Sequence, residues 1–171
     1  MFDNPAKSHS KSSLHRATFH LQCSTNSWIY DMDLDVWSVG PTMKNKRSHF
    51  GCTSLKDVDG NFTHVVVHGG GHLGTEILDI ASLRWNAGPE IPVPIYFTVE
   101  LVSANPHQTS ASAYLVAGYM PQDTEGCEEV GCGRVYRLSK DFQNWSSIGN
   151  LRKHRLDFAA IGLPKGSSVT C

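Results

Sequence analysis

The chain has 171 residues and a formal net charge of −1. So balanced a charge gives no electrostatic support for nucleic-acid or anionic-membrane binding, and no apolar run approaches the roughly 18 residues of a membrane span. The opening Met1-Phe2-Asp3-Asn4-Pro5 lacks the apolar core of a signal peptide.

In chain order, residues 1–13 are polar, rich in Ser and Lys, and read as a mobile segment. Residues 14–46 read as part of a sheet unit, with strands at Ala17 to Leu21, Trp28 to Met32 and Trp37 to Val39. Residues 47–95 read as a complete four-stranded unit. Its first strand, 48–55, sets Phe50, Cys52 and Leu55 in a polar background. Its second, 63–68, is a β-branched run bounded by Asp59-Gly60-Asn61 and Gly69-Gly70-Gly71. The third covers 75–80. The fourth runs from Trp85 to Ala87 and is closed by Gly88-Pro89, because Pro cannot donate into a ladder. Residues 96–154 repeat the pattern with an insertion at 122–133, and 155–171 hold the opening strand of a further unit and a tail. No window keeps a helical period, so the class is all-β.

The units are copies of one another. Trp37-Ser38-Val39-Gly40-Pro41, Trp85-Asn86-Ala87-Gly88-Pro89 and Trp145-Ser146-Ser147-Ile148-Gly149 begin the same phrase. Seven residues before each Trp stands Tyr30, Leu78 or Leu138. Arg47 and Arg155 follow the first and third phrases at equal distance; Ile95 takes that place in the second. Gly70 and Gly118 end similar apolar runs. The first two Trp are 48 residues apart and the last two 60, and since the glycines keep the shorter step, the extra twelve fall after Gly118. Self-similarity at such a period indicates repeat architecture.

These residues resemble the kelch repeat: a double Gly (Gly69-Gly70 or Gly70-Gly71), an aromatic-Asp step (Tyr30-Asp31), a Trp seven residues after the aromatic, and an Arg that opens the next blade. The resemblance covers residues 27 to 163. Departures are Ala117-Gly118 for the double Gly, Leu78 and Leu138 for the Tyr, and Ile95 for one Arg. It implies a partial kelch-type β-propeller of four-stranded antiparallel blades, its ring not closed, because four to eight blades are usual and about three fit here. A fragment of a longer product, a short paralogue, and a chain that completes its ring by association all fit that shortage.

Cys127 and Cys132 lie within the insertion, where a local disulfide, two free thiols and a metal site are alternatives. Cys23 and Cys52 read as buried strand residues. His64 and His68 share a strand face, but their separation of about 13 Å along an extended chain is too great for one metal ion. Asn61-Phe62-Thr63 and Asn144-Trp145-Ser146 are sequons; the first lies in a turn, and the second contains a Trp expected to be packed. Cytoplasmic and extracellular locations stay open.

Signatures of nucleophilic, zinc-protease and phosphate-loop enzymes are missing, and the Gly69-Gly70-Gly71 run reads as a tight turn with positive φ. The resemblance therefore implies a non-enzymatic protein–protein interaction module without a cofactor. The alternative is a piece of a galactose-oxidase-like copper oxidase propeller. The expected partner is a protein rather than nucleic acid or membrane, met by His72, Thr75, Glu125, Glu128 and Glu129 in the loops. Trp37, Trp85 and Trp145 are expected at equivalent places on the outer strands, and Trp85 is expected to be packed.

Overall fold

The structure, a computed structural model, describes residues 24–72, 74–91, 100–103, 112–116 and 133–152. Among these there are ten strands and no helix. β1 (Trp28–Asp31) and β2 (Val36–Val39) form a hairpin. β3 (Phe50–Lys56), β4 (Phe62–Gly69), β5 (Gly74–Asp79) and β6 (Arg84–Glu90) form an antiparallel sheet in chain order. β7 (Glu100–Ser103), β8 (Ala113–Val116), β9 (Arg134–Leu138) and β10 (Trp145–Asn150) form a second four-stranded sheet of the same order.

The seven-residue spacing in the sequence is a strand register. Trp37 pairs with Tyr30, Trp85 with Leu78 and Trp145 with Leu138, so each Trp faces the residue seven before it across its hairpin. All three Trp occupy this same place on β2, β6 and β10. The residue after Tyr30, Leu78 or Leu138 stabilises the turn. Asp31 Oδ1 accepts from the Asp33 and Leu34 N–H groups, and Asp79 Oδ1 from that of Ser82. In the third copy Ser139 Oγ accepts from Gln143 and Asn144. Short polar side chains of this kind close turns by replacing a backbone acceptor.

Alternation along the strands gives each sheet two unlike faces. In the sheet β3–β6, Val67, Glu76, Leu78 and Trp85 share the face turned towards Pro41 to Arg47, the segment that follows the β1–β2 hairpin, and this is the leading face. Val66, His68, Thr75 and Ile77 share the other, trailing face. The trailing face packs on the leading face of the next sheet. Leu55, Val66 and Ile77 meet Leu101, Leu115, Tyr136, Leu138 and Trp145 in one cluster of buried residues. Each such aliphatic side chain contributes about 1.5 to 3 kcal/mol on burial. The first strands of the two sheets, β3 and β7, run beside each other at this boundary.

Three expectations are corrected. Cys52 is exposed: it lies on β3 opposite Val67, on the leading face. β6 does not stop at Gly88-Pro89 but continues to Glu90. The register shifts there between Gly74 and Glu76, and an irregularity on an edge strand is where a ladder tolerates Pro. Thr75 belongs to no loop. It is a β5 residue, 2 % exposed, held between two packed sheets. Residues 1–13, the strand expected at Ala17 to Leu21, Gly118, the insertion 122–133 apart from Gly133, and Arg155 lie outside the described residues.

Candidate functional site

The β4–β5 connection is the best-defined irregular feature. Gly69, Gly70 and Gly71 have φ of 82, 78 and 87°, the left-handed region that only glycine enters without strain. Gly70 has a second reason to be glycine, since a Cβ there would lie 2.5 Å from the Ser48 carbonyl oxygen. The turn brings the end of β4, His72 and the start of β5 against the Arg47 side chain.

Arg47 is 1 % exposed. Its Nη1 donates to the Gly69 carbonyl at 2.7 Å, and its Nη2 to the Gly74 carbonyl at 2.7 Å and to Glu76 Oε1 at 3.1 Å. Nε donates to the same carboxylate oxygen at 3.2 Å. Glu76 also accepts from Lys44 N at 2.7 Å and from the backbone and side chain of Asn45. A buried ion pair is tolerated when both groups are saturated with hydrogen bonds in this way. Burial works to raise the Glu76 carboxyl, but the bonds from Lys44, Asn45 and Arg47 together hold it below its ordinary value. Burial lowers the Arg47 guanidinium, and Glu76 opposes that shift.

Behind this pair, on the trailing face, lies a neutral cluster. Trp145 Nε1 donates to Thr75 Oγ1 at 2.9 Å, and Thr75 Oγ1 is 3.0 Å from His68 Nδ1. With the indole donating, the hydroxyl proton is used when it points to Nδ1, which assigns the imidazole proton to Nε2. His68 Nε2 is buried without a partner. Burial first, and then the neighbouring Arg47 and His72, push the His68 pKa down to about 3. The ring lies edge-on to Trp145 at 6.1 Å.

His72 is half-buried, and its Nδ1 accepts from Gly74 N at 3.0 Å. His64, on the same face as His68, packs edge-on against Phe142 at 4.8 Å. The three histidines therefore have separate engagements, and no group of metal-ligating side chains occurs among the described residues. Asn61 is exposed in the β3–β4 turn, and Trp145 of the second sequon is 5 % exposed. Arg47 and Gly70 take the roles just described. Trp85 is only half-buried; its Nε1 donates to the Pro41 carbonyl at 2.9 Å. Glu125, Glu128, Glu129, Cys127 and Cys132 lie outside the described residues.

Sequence reasoning missed Glu76 and His68. The signal for Glu76 was a lone carboxylate in the apolar strand Thr75-Glu76-Ile77-Leu78, 29 residues from an Arg with no evident counter-ion. No model of a known protein family matches the sequence, and no protein of curated function matches it.

Proposed function

We propose that the chain is part of a kelch-type propeller and serves as a non-enzymatic module that binds a protein partner. Three features support the architecture: four-stranded meanders of one strand order, their stacking in chain order, and the first strands of the two sheets lying side by side. The described polar groups with the most unusual environments, Arg47, Glu76 and Thr75, spend their hydrogen bonds inside the fold. They make a support rather than a reactive centre.

One observation carries the binding reading. The described turns at one end of the sheets are short and closed by Asp57, Asp79 and Asp31 or by Ser139. At the other end lie the turn that carries His72 and the two ends, Val116 and Gly133, from which the longest β-strand connection leaves. By register, Val116 occupies the place of His68 and Val135 that of Thr75. Val116 and Gly133, the described residues that flank the connection holding the acidic residues, thus lie at the same end as His72, on a neighbouring sheet. Variable connections on a rigid support are the usual carriers of recognition.

The reading is tested by photo-crosslinking the purified chain, with a crosslinker at position 72, in an extract of its source cells. Replacing Glu125, Glu128 and Glu129 together by Lys should abolish the major crosslinked product and leave the circular dichroism and melting curve unchanged. A major product that survives this replacement sinks the assignment of this end as the recognition surface.

A further inference from the structure

The two ends of the stack are unlike, and each lacks what its counterparts inside the molecule possess. Every sheet presents its Trp on its leading face. In β7–β10 that Trp, Trp145, is 5 % exposed because the trailing face of β3–β6 covers it. In β3–β6, Trp85 reaches Pro41 of the preceding unit. In the β1–β2 hairpin the same face carries the cross-strand pairs Trp28 with Val39 and Tyr30 with Trp37. Trp28 is 52 %, Trp37 57 % and Val39 73 % exposed. The register is the same, yet among the described residues none covers this face.

The last sheet has the complementary surface. Its trailing face carries Tyr114, Val116 and Val135, all partly exposed, with Arg137 exposed beside them. These stand where β3–β6 has Val66, His68, Thr75 and Ile77, all nearly sealed by the following sheet. Arg137 replaces Ile77, and a guanidinium is well suited to lie on an indole ring. An apolar, aromatic leading face therefore ends the described stack on one side, and a trailing face of Tyr114, Val116 and Val135 beside Arg137, with Glu100 opposite Val116, ends it on the other. The boundary between β3–β6 and β7–β10 shows what each takes.

We propose that two copies of the chain associate head to tail, the Trp28–Trp37 face of one seated on the Tyr114–Val135 face of the other. The contact repeats between copies the packing already made within one. It is heterologous, so it closes into a ring if the rotation per unit allows and otherwise extends. The inference concerns the chain itself and does not depend on the protein-binding reading.

The test is sedimentation velocity and light scattering on the purified full chain over a concentration series. Assembly rising with concentration is expected. Val39→Glu, at an exposed position, should give monomers, and so should Val135→Asp combined with Arg137→Glu. If that double variant loses its circular dichroism signal, Arg137→Glu alone serves as the trailing-face block. The deciding measurement mixes the two monomeric variants: each retains the face the other has lost, so together they should form a dimer that grows no further. A parental chain that stays monomeric throughout overturns the proposal. So does a trailing-face variant that still dimerises while Val39→Glu does not, because that pattern means a symmetric contact between two leading faces.

Discussion

The His68 imidazole is kept neutral first by its burial and then by the neighbouring Arg47 and His72, with Thr75 and Trp145 packed beside it. Its folded pKa of about 3 lies below the ordinary 6.5. The unfolded chain therefore binds a proton that the folded chain refuses. The stability contributed is complete above 6.5 and is lost as pH falls towards 3, at up to about 1.4 kcal/mol per pH unit. Urea midpoints measured down this range should fall steeply, and His68→Phe should flatten that slope. Glu76, also depressed, adds a loss at the acid end, because its hydrogen bonds favour the carboxylate. For its partner, Arg47→Ala should cost about 3 to 5 kcal/mol, since it strands a buried carboxylate. Arg47→Met with Glu76→Leu should cost less than Arg47→Ala by itself, and equal losses would show that the pair is not the buried unit described.

At the scale of elements, equivalent positions carry unequal energies. Trp145→Ala should lower stability by about 3 to 5 kcal/mol, the range for a large buried aromatic. Trp37→Ala in the monomer should lie within about 0.5 kcal/mol of the parent, as an exposed position does. The strands of the second unit could be read from sequence because β-branched runs and glycines mark them plainly, whereas the seven-residue Trp spacing was visible there only as a repeat and became a hairpin register in the structure. What escaped was the assignment of faces. Period-two alternation says which residues share a side of a sheet but not which side meets a neighbour, so Cys52 read as buried, Thr75 as a loop contact and Trp85 as fully packed. The glycine turn offers a finer comparison. Gly71→Ala has room for its Cβ and bears only the strain of positive φ, about 1 kcal/mol. Gly70→Ala adds a clash with the Ser48 carbonyl and should be clearly worse in the same denaturant titration.

Across the whole molecule, order should decline towards the ends of the stack. The β1–β2 hairpin is two-stranded, and an isolated hairpin is marginal in water. Its amides should exchange with deuterium well before those of β4, β5, β8 and β9, which lie inside the two four-stranded sheets; equal protection would contradict that ranking. A copper oxidase of the kind the fold resemblance admits would take up copper in stoichiometric amount and oxidise primary alcohols with release of peroxide. The binding module proposed above should do neither, as atomic emission and a peroxide assay can establish.

The seven-residue register of the Trp-bearing hairpins also sets an order of events during folding. Pairing Asp31 with Val36, or Asp79 with Arg84, closes a loop of only four residues, and such hairpins form in about 1 to 10 μs. The bond from Trp145 to Thr75 spans 70 residues. As the chain leaves the ribosome, β3–β6 can therefore be complete long before Trp145 exists to cover Val66 and Ile77. During that interval a finished sheet displays a bare apolar side, the kind of transient surface that chaperones bind and that favours aggregation. Synthesis paused between residues 91 and 145 should prolong the exposure.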